Sequence, residues 1–322
     1  MFTVVGALVL YYVFKGFNTD DFLAQLEESN KFYVFLSVSL GVVAVLIRAM
    51  RWRILLKPLG FNAKLSNAYH SCMSGYLVNL GIPRAGELSR CALLSKSDNI
   101  PANILIGTVV TERIIDVLML GLVLALSLVL QFDLLFNFVN VNLLIPISQK
   151  LSFNVILITV LIILAIIFSY KAYKKKRPVK TKSNKLKEFF AGFSNGLNSI
   201  TKLQQPILFI VYSIGIWVCY FLMTFFILKA FVFTEMLGVG AALSTLVFSS
   251  IGVIIPAPAG TATMATVSKG LEEIYALTHQ QSDAVGIVLF FSNVIMILLA
   301  GTVSFIIMAY KTRTSNAPSK NI

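Results

Sequence analysis

The chain has 322 residues, 57% of them hydrophobic and 13% charged, with a mean hydropathy of +0.83. Soluble domains carry about a quarter charged residues, so this composition excludes a soluble globular protein and points to an integral membrane protein. The net charge is +13. Because the positive residues flank apolar runs, they read as orientation signals and contacts to anionic headgroups, with no nucleic acid as partner.

The apolar runs are of helix length and lack the short alternation of a β-barrel. Met1 to Phe14 reads as a first span, only about 21 Å long as a helix, and therefore short or truncated at its start. It has no basic flank or cleavage site of a signal peptide. Asp20, Asp21, Glu27 and Glu28 follow. Phe32 to Ile47 is a second span, running into Arg48, Arg51, Trp52 and Arg53, with Lys57 and Lys64 beyond. The positive-inside rule makes that end cytoplasmic and places Trp52 in the interfacial aromatic belt. Arg48 and Arg51 are one helical turn apart and face the same way. Two readings stay open for them: topological anchors, or a bidentate site for a lipid phosphate.

Ser66 to Ile82 is apolar but diluted by Asn67, His70, Ser71, Ser74 and Asn79, and it runs into Pro83, Arg84, Gly86, Glu87 and Arg90. Pro83 lacks a backbone donor and Gly86 frees the backbone, so a continuous helix is not expected. A straight crossing would strand Arg84, Arg90 and Lys96 outside, so residues 66–96 read as a re-entrant hairpin entered from the cytoplasm. Irregular, charged backbone at membrane depth is tolerated only against protein or a water-filled cavity.

Asn103 to Leu130 is a full span carrying Glu112, Arg113 and Asp116 on one helix side. Here too two readings stay open: an ion-pair cluster locking this helix to the hairpin, or a relay or gate. Gln131 to Lys150 reads as an outer loop and Leu151 to Tyr170 as a span. Residues 171–187 (KAYKKKRPVKTKSNKLK) hold nine Lys/Arg and no acid, the strongest cytoplasmic marker in the chain. Phe189 to Leu203 has the spacing of an interfacial amphipathic helix.

Ile207 to Phe233 is a further span. Gly238 to Ile255 is apolar, breaks at Pro256, Pro258 and Gly260, and continues as an amphipathic piece to Tyr275. Ala284 to Tyr310 is the last span, closed by Lys311 and Arg313. With a cytoplasmic C-terminus, residues 238–275 must leave and return to the outer side, which makes them a second hairpin. The expected fold is an all-α polytopic membrane protein with about six full spans and two re-entrant broken hairpins in an inverted repeat. It divides as 1–135, first half; 136–187, outer loop, span and basic linker; and 188–322, interfacial helix and second half. Interrupted segments at matching positions of inverted halves mark the central site of a transporter.

Three motifs carry a family likeness: Arg48-Ala-Met-Arg51-Trp52, the run from Asn79 through Pro83, Arg84, Gly86 and Glu87 to Arg90, and Thr111-Glu112-Arg113-Ile-Ile-Asp116. They resemble the lysylphosphatidylglycerol synthase transmembrane, or flippase-like, family, over nearly the whole chain. In that family the membrane module of the bacterial multiple peptide resistance factor moves an aminoacylated phospholipid between leaflets, and the soluble aminoacyl-transferase domain has no counterpart in this sequence. The second hairpin departs from the family's PGGxG-like pattern, reading Pro258-Ala259-Gly260-Thr261-Ala262.

The resemblance implies a non-enzymatic translocator of an anionic phospholipid or polyprenyl-linked lipid in the plasma membrane. Arg48, Arg51, Asn79, Arg84, Glu87, Arg90, Glu112, Arg113 and Asp116 are the candidate substrate-binding residues. No cofactor and no metal is expected: the three cysteines are scattered without a CxxC, the two histidines lie far apart, and no Walker motif occurs. The alternatives are a membrane assembly protein with the charges as structural glue, and a lipid-phosphate enzyme with Glu87 as its base.

Overall fold

The structure is a computed structural model that describes residues 19–82, 84–132, 134, 136, 184–254 and 261–315. All regular structure among these residues is helical. In chain order the helices are α1 (Thr19–Glu28), α2 (Lys31–Leu56), α3 (Leu65–Gly81), α4 (Ala85–Asp98), α5 (Ala102–Leu130), α6 (Asn184–Leu197), α7 (Pro206–Lys229), α8 (Val239–Ile254), α9 (Ala262–Tyr275) and α10 (His279–Ser315). The expected spans Met1–Phe14 and Leu151–Tyr170, the linker residues 171–183, and the hairpin residues Pro83, Pro256, Pro258 and Gly260 lie outside the described residues.

Among the described residues four helices are long and apolar enough to cross a membrane: Lys31–Leu59 (α2 with a 3₁₀ turn), α5, α7, and α10 over His279–Thr312. Their outward faces are apolar. On α5, Ile114, Val117, Leu118, Leu122, Leu126 and Val129 are exposed at helical spacing. On α10, Ile295, Leu299, Val303 and Ile306 do the same. With no water available in hydrocarbon, such stripes are what lipid requires.

The first arginine pair corrects the sequence expectation of where the second span ends. The span does not stop at Ile47: α2 continues to Leu56, and Arg48 and Arg51 lie inside the bundle, 4% and 0% exposed. Trp52 is not in an interfacial belt. It is fully buried, and its Nε1 donates to Thr108 Oγ1 across 2.9 Å. The helix can bury these arginines because α5 presents carboxylates to meet them.

Helices α3 and α4 are short and lie antiparallel. Asp98 closes their open end, accepting from the Lys64 amide at 3.0 Å and from Asn67 Nδ2 at 2.5 Å. The helices are in backbone contact at Gly75 and Gly86, where a Cβ on Gly86 would lie 2.0 Å from the Gly75 carbonyl oxygen. Gly86 therefore serves close packing within α4 and not the chain reversal assigned to it from sequence. The reversal falls on Arg84, which adopts φ 68°, and Asn79 Oδ1 then accepts from the Gly86 amide at 2.6 Å. Helices α8 and α9 form a second antiparallel pair, tied by Thr266 Oγ1 donating to the Phe248 carbonyl at 2.9 Å.

The two pairs open at opposite ends of the bundle. Beside Asp98, Lys311 at the end of α10 donates to Asn67 Oδ1 at 2.7 Å, and Arg53 near the end of α2 donates to the Ala63 carbonyl at 2.7 Å. This end also carries Lys57, Lys64, Lys96 and Lys202, and is called the basic end. At the other end, the Asn30 amide donates to the Ala230 carbonyl at 2.7 Å, and Tyr275 at the end of α9 donates to Gln131 at 2.5 Å. This end carries Glu27, Glu28, Glu235, Glu272, Glu273 and Asp283, and is called the acidic end. Helix α6 packs at the start of α5, where a Cβ on Gly107 would lie 2.4 Å from the Phe193 carbonyl oxygen. The chain thus leaves α5 at the acidic end and re-enters the described structure beside the basic end.

Candidate functional site: a buried arginine–carboxylate cluster

Asp116 is the central residue of α5, about 21 Å from the start of that helix. Its Oδ1 accepts from Arg51 at 2.7 Å and its Oδ2 from Arg48 at 3.1 Å. Glu112, one turn nearer the basic end and fully buried, accepts at Oε2 from Arg90 at 2.8 Å, while its Oε1 lies 3.6 Å from Arg51. Arg113 lies between Asp116, 3.5 Å away, and Glu87 of α4, 2.6 Å away. The Arg113 Nε is off the direction of a hydrogen bond to Glu87, so this last pair is an ion contact. Helix α7 completes the shell: Arg48 donates to the Tyr220 hydroxyl at 3.1 Å and Arg51 to Ser213 Oγ at 3.4 Å.

Local sequence explains the convergence. Arg48 and Arg51 are three apart on α2, and Glu112 and Asp116 four apart on α5, so each pair projects from one helix face. Arg90 reaches the same point because the glycine contact lets α4 lie close against α3. Trp52 holds it from behind, with the guanidinium carbon 4.8 Å from the indole centre, a stacking geometry suited to arginine.

Four arginines face three carboxylates, so the cluster carries one excess positive charge. Buried ions in such a medium cost several kcal/mol each unless paired, and here all seven have a partner. The pairing is not saturated. The buried Nε atoms of Arg48, Arg51 and Arg90 have no hydrogen-bond acceptor among the described residues, and Glu112 Oε1 has no donor in hydrogen-bonding geometry.

A small cleft reaches the cluster. Tyr76, Asn79, Glu87, Arg90 and Arg113 line it together with Cys72 and the two contacting glycines. Its enclosed part is about the size of one water, and the whole depression, open solvent included, is about 230 Å³. Glu87 and Arg113 stand at its mouth with side chains 38% and 42% exposed. Leu88 and Ile114, the chain neighbours of Glu87 and Arg113, are exposed, as is Ile82 before the reversal.

The structure therefore brings together Arg48, Arg51, Glu87, Arg90, Glu112, Arg113 and Asp116. Asn79 lines the cleft and holds the start of α4. Arg84 is left out: it is exposed at the reversal, with no ion pair to a described residue. Sequence reasoning missed Tyr220 and Ser213. Both lie inside the apolar run Ile207 to Phe233, where a hydroxyl carries no spacing signal that selects its partner. Among the described residues no group of histidine, cysteine or carboxylate side chains is arranged to hold a metal ion.

Residues 2–301 match the family model described as the lysylphosphatidylglycerol synthase TM region. The chain belongs to this family. As a member of the lysylphosphatidylglycerol synthase TM region family it is a multi-pass membrane protein, in keeping with its four described spans. It is also similar to a UPF0104 membrane protein of Methanocaldococcus jannaschii, 28% identical over 116 residues, which is 35% of this chain and 34% of that protein. The matched stretch thus spans about a third of that relative. No solved structure matches the chain.

Proposed function

We propose that this protein moves a phosphate-bearing amphiphile, an anionic phospholipid or a polyprenyl-linked lipid, between membrane leaflets. The carrying observation is the Glu87–Arg113 pair, half-exposed at the mouth of a cleft whose inner wall is Arg90. The excess positive charge and the unused arginine N–H groups give a phosphate oxygen donors to exchange into. The exposed apolar neighbours of Glu87 and Arg113 suit an acyl or prenyl chain that stays in the lipid while the headgroup enters sideways.

The hairpins α3–α4 and α8–α9 opening at opposite ends support an inverted repeat, each half supplying one interrupted element near the middle of the bilayer. In this reading alternating access exposes the cluster to one leaflet at a time. The lipid's own gradient or an ion gradient drives it, without cofactor or chemistry on the substrate. The basic end and the C-terminus face the cytoplasm, and the membrane is the plasma membrane.

A structural reading has one observation in its favour: every guanidinium in the cluster is already paired, and the enclosed cleft is water-sized. Reconstitution separates the two. Purified protein in liposomes should raise the exchange rate of labelled phosphatidylglycerol or polyprenyl phosphate above that of protein-free liposomes. Background exchange of both probes with correctly folded protein would favour the structural role.

A further inference from the structure

A second polar cluster lies on α5 about 22 Å beyond Asp116. Gln131 closes α5 at the acidic end. Its Oε1 accepts from Tyr275 of α9 at 2.5 Å and from Ser244 of α8 at 2.8 Å. The Tyr275 hydroxyl also lies 3.1 Å from Ser244 Oγ, and fully buried Ser127 on α5 lies 3.2 Å from the same atom. Gly240 makes room for Gln131: a Cβ there would sit 2.4 Å from Gln131 Nε2. Beneath this knot Val123 of α5 packs with Leu243, Leu246 and Val247 of α8 and with Ile216 and Trp217 of α7. The acidic end between α5 and the second hairpin is therefore shut by a hydrogen-bonded clamp above an apolar plug.

The clamp differs from the arginine cluster in kind. Its members are uncharged, so each hydrogen bond contributes little net free energy and can be exchanged with water when the seam parts. Helix α5 belongs to both: Glu112 and Asp116 bind it to α2 and α4, and Ser127 and Gln131 bind it to α8 and α9. We infer that Gln131, Ser244 and Tyr275 form the acidic-end gate of the path whose central site is the arginine–carboxylate cluster, with α5 as the element common to both. The inference rests on the transport reading. In this structure the clamp is made, so the cluster is shut off from the acidic end while its cleft opens beside Glu87 and Arg113. Opening the clamp parts α5 from α8 and α9 and admits water to the plug at Val123.

The test uses the full chain in liposomes with a cysteine placed at the plug, Val123→Cys. The three native cysteines are buried, so the parent protein sets the labelling baseline. A membrane-impermeant maleimide applied from the acidic side reads opening directly, whether or not any lipid moves. Tyr275→Phe keeps the ring and removes the hydroxyl from both partners, and should raise labelling about fivefold. Ser244→Ala should act in the same direction and provides an independent check on folding. A reversible bifunctional thiol cross-link between Gln131→Cys and Tyr275→Cys should suppress labelling of Val123→Cys and stop leaflet exchange until it is reduced. Labelling unchanged by both clamp variants, or full exchange in cross-linked protein, overturns the gate and leaves the transport reading standing. Labelling that responds to the clamp in protein with no lipid exchange upholds the gate while the lipid reading falls.

Discussion

Arg90 donates to Glu112 across 2.8 Å with both side chains buried, and this bond ties the short helix α4 to the membrane-length helix α5. Glu112 is also the carboxylate that Arg51 of α2 approaches at 3.6 Å. One acid thus joins a span, a hairpin and a second span. These buried charges consequently report on how α2, α4 and α5 are assembled.

Removal of that acid should be costly. Glu112→Ala leaves Arg90 and the fully buried Arg51 short of a counter-charge, and breaking a buried pair in this way costs about 3–5 kcal/mol. The expected outcome is a large fall in the thermal midpoint of detergent-solubilised protein. Glu112→Gln, which keeps the shape and a hydrogen-bond acceptor, should lose less. Equal midpoints for Glu112→Ala and the parent would show that the cluster does not hold the fold.

The hairpin's glycine contact gives a prediction with a control on a neighbouring helix. Gly86→Ala would place a methyl 2.0 Å from the Gly75 carbonyl oxygen and 2.6 Å from the Asn79 side chain. Overpacking costs about 1–3 kcal/mol, and here the opposing atom is backbone, so α4 must shift. Gly121→Ala on α5 meets nothing within 4 Å and should be neutral or stabilising by up to about 1 kcal/mol. Thermal midpoints of the two variants, measured side by side, check the difference in sign.

Trp52 serves Arg90 by its ring and Thr108 by its N–H. Trp52→Phe should cost about 1 kcal/mol for the lost hydrogen bond plus the smaller volume, whereas Trp52→Ala opens a cavity and should cost about 3–5 kcal/mol. A residue that merely anchored the helix at the membrane surface would show no such ordering when the midpoints are compared.

Much of this arrangement was legible in the sequence, for definite reasons. Arg48 with Arg51, and Glu112 with Asp116, are paired by helical spacing, which survives any tertiary context. The helices on either side of the hairpin reversal appear because interrupted apolar runs change composition at the break. Partner choice was less legible. Spacing puts Arg113 on the same helix side as Glu112 and Asp116, yet it is shared between Asp116 and Glu87, while Glu112 is met by Arg90 and Arg51. These partners come from other helices and depend on the α3–α4 glycine contact. Trp52 and the end of α2 were misplaced because arginines next to a tryptophan have the same composition at a membrane surface as in a paired interior. Gln131, Ser244 and Tyr275 gave no signal at all: single polar residues on three separate helices acquire meaning only when those helices meet.

The most direct test of the central claim is the rate of leaflet exchange of a labelled anionic phospholipid and of a polyprenyl phosphate in liposomes carrying the parent protein or Arg113→Gln. Arg113 is half-exposed at the cleft mouth, so the substitution should leave the thermal midpoint nearly unchanged while removing a charge-assisted contact to phosphate. The account predicts a loss of exchange of about tenfold or more for at least one of the two lipids. Equal exchange by the parent and by a folded Arg113→Gln protein would contradict it.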